Sequence, residues 1–100
     1  MPLFLRKVTH HAARDAYRVI LKDESGETEI GSIGLQHAAG AVTRWHWGID
    51  TVIPMREADQ GGFGTDRKDC MKKFQTAWEK SASDPARLAE FMRYKYQRRT

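Results

Sequence analysis

The stretch TRWHWGID, residues 43 to 50, places Trp45, Trp47 and Ile49 at every second position, and no other feature constrains the chain as tightly. Successive side chains of a strand point to opposite faces, so these three share one side, and Arg44, His46 and Gly48 share the other. Two indoles and an isoleucine on one face are either a core waiting for a cover or an aromatic surface made to hold something. The cover must be an element with an apolar stripe of matching size.

One segment supplies it. Cys70, Met71, Phe74, Ala77 and Trp78 recur at helical spacing, which predicts a helix over 66–81 with Thr65 as N-cap and Asp66 in the first turn, where a negative charge suits the dipole. Its other side carries Lys68, Lys72, Lys73, Glu79 and Lys80, and Asp69 and Lys73 are spaced to pair. Trp45, Trp47 and Ile49 are therefore expected to pack beneath Phe74 and Trp78. Asp84 and Pro85 start a second helix, about residues 85–96, that buries Leu88, Phe91 and Met92.

Upstream, AYRVILKDESGETEIGSIGLQ alternates and turns as an antiparallel hairpin does. Tyr17, Val19 and Leu21 share one face, residues 23–27 centred on Ser25 and Gly26 make the turn, and Ile33 and Leu35 lie on the return strand. Ile30 has the opposite parity to Ile33, and Gly31 between them predicts a bulge. HAAGA then leads into the tryptophan strand. The stretch TVIPMREADQGGFG, residues 51–64, has Pro54 and three glycines interrupting any period and is read as an extended loop. The expected fold is α+β: a three-stranded antiparallel meander backed by an amphipathic helix, with a second short C-terminal helix. It forms a single domain over residues 1–100, with an N-terminal extension at 1–13, a sheet-helix core at 14–82 and a C-terminal helix and basic tail at 83–100.

Composition narrows the class. Leu, Ile, Val and Phe number only eighteen, few for a folded chain, but three Trp, three Tyr and four Met restore the bulky apolar surface that a core needs. No apolar run approaches the roughly 20 residues that cross a bilayer, and MPLFL is too short for a signal peptide, so no membrane partner is expected. A single cysteine, Cys70, excludes an internal disulfide and points to the cytoplasm.

The net charge of +4 lies wholly in the second half, since residues 1–50 balance six basic against six acidic side chains. After position 85, Arg87, Arg93, Lys95, Arg98 and Arg99 face only Glu90, so the tail is a basic arm.

The order EIGSIG, WHWGI, GGFGTDRKDCMKKFQTAWEK over residues 28–82 resembles the strand, strand, Gly-Phe-x-Thr, helix arrangement of the arm-binding domains of tyrosine recombinases and of the plant ethylene-response-factor DNA-binding domain. That resemblance implies a three-stranded sheet laid in the major groove with the helix as its backing. The present chain differs in placing Glu27 and Glu29 among Arg18, Lys22 and Arg44, where those families crowd Arg and Lys. In rhythm the chain also resembles short bacterial proteins with a W-x-W-x-I strand before a helix ending near AW, a likeness that implies no activity.

Chemistry finds little footing. His10 and His11 are adjacent, and His37 and His46 stand apart, so no pair has the spacing of a metal site. Cys70 falls in the apolar stripe of a helix, as a small core residue does. GGFG lacks the Lys-Ser/Thr of a phosphate loop, although the helix after it could meet an anion with free backbone amides. No catalytic residue, metal or cofactor is read. The chain reads first as a non-enzymatic accessory or protein-interaction domain. The alternative is a nucleic-acid or polyanion-binding module in which Arg18, Lys22, Arg44 and His46 on the outward sheet face, beside Ile20, and Arg93, Lys95, Arg98 and Arg99 on the arm touch phosphates, with Tyr94 and Tyr96 stacking. Whether the positive residues form one patch separates the two.

Overall fold

The tryptophan strand sits inside a larger sheet than its neighbours in sequence predict. A computed structural model describes residues 3–8, 16–24, 26–37, 43–51, 53 and 60–99, with backbone only at 36, 37, 43 and 96–99. Its strands are β1 (Leu3–Lys7), β2 (Ala16–Asp23), β3 (Gly26–His37), β4 (Thr43–Ile49) and β5 (Gly61–Gly64), and its helices are α1 (Arg67–Ala82) and α2 (Pro85–Arg99). The strands pair in sequence order, every neighbour antiparallel. The fold is thus α+β as expected, with five strands in place of three.

Both additional strands come from segments read otherwise. β1 lies in the expected N-terminal extension, where Leu3 and Leu5 pair with Leu21 and Val19 and lean on the core. β5 is the GGFG of the expected loop. Glycine is a poor strand former, and this strand exists through its pairing with β4, Trp47 opposite Gly62 and His46 opposite Phe63. The rest of the expected loop, apart from Thr51, Ile53 and Gln60, lies outside the described residues.

The hairpin and its bulge follow the sequence. Asp23 pairs with Gly26, which takes the left-handed φ of 119° that favours glycine. Val19 pairs with Gly31 and Ile20 with Glu29, so Ile30 is the extra residue, and the bulge turns it into the core with Ile33. Gly31 is required for another reason: a Cβ there would stand 2.4 Å from the Phe74 ring.

Helix α1 starts one residue later than predicted. Its N-cap is Asp66, whose carboxylate accepts from Asp69 N at 2.7 Å, while Asp69 accepts from Thr65 N at 2.9 Å. Two orphan donors are satisfied reciprocally, and Thr65 stays just outside the helix. Helix α2 begins at Pro85 as predicted, with Asp84 accepting from Ala86 N and Arg87 N, and runs three residues beyond the expected end.

The core forms where the stripe predicts. Trp47, Phe74 and Trp78 are buried together with Val19, Leu21, Ile30, Ile33, Ile49, Ile53, Cys70, Ala77 and Phe91, and Trp45 is partly buried at the border. Trp47 meets Phe74 edge-on at 6.1 Å, and Trp78 meets Phe91 at 5.2 Å, so two aromatic pairs link sheet to α1 and α1 to α2. The opening alternative is settled for the indoles: they are the inside of the fold.

Candidate functional site

With one face of the sheet under α1, the other face carries whatever the sheet presents outward. Register places Arg6, Arg18, Ser32, Gly48 and Gly61 in one row across the five strands, and Gly34, His46 and Phe63 in the next. The expected outward residues Arg18, Lys22, Arg44 and His46 do share this face. Ile20, expected beside them, is fully buried, which corrects the sequence reading: it lies under the cleft formed with Arg6, Arg18 and Lys95.

Among the described residues the basic side chains form no single patch, so a nucleic-acid reading has to rest on something other than the charge of the whole face. Arg18 donates to both oxygens of Asp50, at 2.6 and 3.3 Å, and to Glu29 at 3.2 Å. Lys95, from α2, donates to the same Asp50 carboxylate, and only a tenth of its side chain is exposed. Arg6 is paired with Glu27. Burial by itself would raise the Asp50 carboxyl, but the hydrogen bonds and charges of Arg18 and Lys95 outweigh it and hold the group below the ordinary carboxylate value. Burial would likewise lower Arg18, and Asp50 and Glu29 reverse that effect. Arg18 and Lys95, both expected to touch phosphates, are thus internal counter-ions that tie α2 to the sheet.

Lys22 is exposed at the hairpin end, opposite Glu27. Arg93 is exposed with its guanidinium 5.5 Å above the Tyr94 ring. The side chains of Tyr96, Arg98 and Arg99 lie outside the described residues, as do His10, His11 and the imidazole of His37.

Arg44 and His46 are in different company. Opposite His46, the Phe63 ring is 53% exposed, and the Arg44 guanidinium sits 5.4 Å above its centre. A single exposed apolar side chain is ordinary. This one is capped by a cation and stands beside an open hollow of ≈ 560 Å³ lined by His46, Trp47, Thr51, Gln60, Gly61 and Gly62. The hollow gives a planar group room to approach the ring. Lys73 steadies the strand from behind by donating to Phe63 O at 3.0 Å while pairing with Asp69. Sequence reading missed Phe63 because GGFG was assigned to a loop. The signal available was an aromatic flanked by glycines just before a helix cap.

Among the described residues, no three His, Cys, Asp or Glu side chains gather where they could hold a metal ion. Cys70 is buried, and burial first, then the Asp69 charge, raises its thiol above the ordinary value, which keeps it protonated. No helix among the described residues is long and apolar enough to cross a membrane.

Fold and surface together define a small α+β domain, an antiparallel five-stranded sheet backed by one helix and braced by a second. Comparison with protein-family models, with curated proteins and with solved structures finds no match.

Proposed function

We propose that this domain is a non-enzymatic binding module for single-stranded nucleic acid, working through the β4–β5 end of its outer sheet face. The observation that carries the reading is the half-exposed Phe63 ring under the Arg44 guanidinium, beside an open hollow. Every base has a π-face, and stacking on an aromatic side chain needs a flat, open approach with a cation near enough to meet the phosphate. Arg44 supplies that cation, His46 lies beside the ring as a further polar contact, and Arg18 and Lys95 do not contribute at this end. Binding is therefore weak and local, a matter of one or two nucleotides.

The accessory, protein-interaction reading has an observation of its own. β5 is the last strand of the sheet, four residues with no charged side chain, and an extended partner segment could add to it. Fluorescence anisotropy with a labelled oligothymidylate decides between them. The nucleic-acid reading expects binding at low salt that Phe63→Ala weakens by about 5- to 100-fold, the range given by stacking worth roughly 1–3 kcal/mol per base. No binding by the parent at low salt, or equal binding by the variant, rejects it and leaves the protein partner.

A further inference from the structure

A charged cluster lies at the other end of the same face. Arg6, Arg18 and Lys95 line one cleft of ≈ 330 Å³ together with Ile20, Thr28, Glu27 and Glu29. Three elements deliver the three cations, β1, β2 and α2. Asp50, held by Arg18 and Lys95, is the interior anion among them.

The two glutamates differ from Asp50 in kind. Their side chains are 43% and 56% exposed, on the rim, where an ion pair contributes little and is screened by salt. Turning them outward into water costs little. What then faces the cleft is three positive groups against the one carboxylate of Asp50, a surplus of two charges above buried Ile20. Two guanidiniums offer forked donors, and a phosphate monoester carries about −1.5 to −2 charges with three acceptor oxygens.

We infer that the cleft between β1, β2 and α2 binds a phosphate monoester dianion through Arg6, Arg18 and Lys95, with Glu27 and Glu29 as displaceable rim acids. The ligand is a free phosphate ester or the terminal phosphate of a strand lying across the sheet. Arg18 and Gly61 share a row, three strand spacings or about 14 Å apart, so a strand stacked at Phe63 has a path toward the cleft over Gly48 and Ser32. The site itself does not depend on binding at Phe63.

The probe is inorganic phosphate, titrated at constant ionic strength against chloride and followed by the amide shifts of residues 18–22 and 27–29. The site predicts saturable, millimolar binding. Arg6→Gln, a change at an exposed side chain that leaves the core alone, weakens it at least fivefold. The double variant Glu27→Gln, Glu29→Gln tightens it about three- to tenfold, and Phe63→Ala leaves it unchanged. A linear, unsaturable response in the parent, or equal binding by Arg6→Gln, overturns the site. Loss of tightening in the double variant overturns the role of the rim acids. A second arm compares oligothymidylate with and without a 5′-phosphate: stronger binding of the phosphorylated strand, abolished by Arg6→Gln, assigns the dianion to nucleic acid, and indifference assigns it to a free ester. Failure of the nucleic-acid reading at Phe63 leaves the inorganic phosphate result standing, so the two are separable.

Discussion

Replacing Trp47 by alanine removes the residue on which sheet and helix meet. The indole is 93% buried and touches Phe74 edge-on. A tryptophan buries roughly 150–250 Å², and at about 25 cal/mol per Å² its transfer alone is worth roughly 4–6 kcal/mol against an extended chain. Real unfolded chains already hide part of that area, by roughly 10–40%. One feature works the other way: the buried Trp47 Nε1 finds no hydrogen-bond partner among the described residues, and the alanine variant no longer has to bury that donor, a relief of about 1–3 kcal/mol. The balance is a loss of about 3 kcal/mol, the low end of the range for Trp→Ala. In a domain of this size that is a fall in melting temperature of roughly 12–24 °C. Trp47→Phe keeps most of the ring, discards the orphaned N–H and should lie within about 1.5 kcal/mol of the parent. Urea denaturation followed by far-ultraviolet circular dichroism measures both. An alanine variant that melts cooperatively within a few degrees of the parent, or a phenylalanine variant as damaged as the alanine one, refutes the packing argument.

Three further outcomes follow from the same packing and pairing. Gly31→Ala pushes a methyl to 2.3 Å from Gly48 O and 2.4 Å from the Phe74 ring, and costs at least about 1–3 kcal/mol of overpacking in the same denaturation assay. Because the Asp50 carboxyl is held low in the folded state, its contribution is present above the ordinary carboxylate pKa and is lost as pH falls through the folded value; Asp50→Asn should flatten the acid limb of a stability-against-pH curve as well as lower stability near neutrality. Neutralising Lys95, Arg98 and Arg99 together should reduce the salt dependence of polyanion binding by up to about three charges if all three meet phosphate. An unchanged log-log slope shows that none of them does.

What the sequence made legible was whatever is written as a period. The alternation of Trp45, Trp47 and Ile49 against the helical spacing of Phe74 and Trp78 identified the core, and the parity conflict between Ile30 and Ile33 located the bulge. The hidden parts depend on contacts distant in sequence. β5 has no strand propensity of its own and is held by Trp47 and by Lys73. β1 is five residues whose apolar pair, Leu3 and Leu5, makes sense only against β2. At the site, Arg44 and His46 were found because strand alternation turns them outward. Phe63 was missed with its strand. Charge counting along the chain could not show that Arg18 and Lys95 converge on Asp50. Thr65 and Asp66 are both capping residues, and the choice between them was made by Asp69 reaching back to Thr65.

If the half-exposed phenyl of Phe63 under Arg44 is a working surface, amide shifts mapped during titration with a short oligothymidylate at low salt are largest at Arg44, His46, Gly61, Gly62 and Phe63. They disappear in Phe63→Ala, and the exposed lysine face of α1 changes little. Shifts confined to the far end of α2 and to that lysine face, with the β4–β5 amides unmoved, would contradict it.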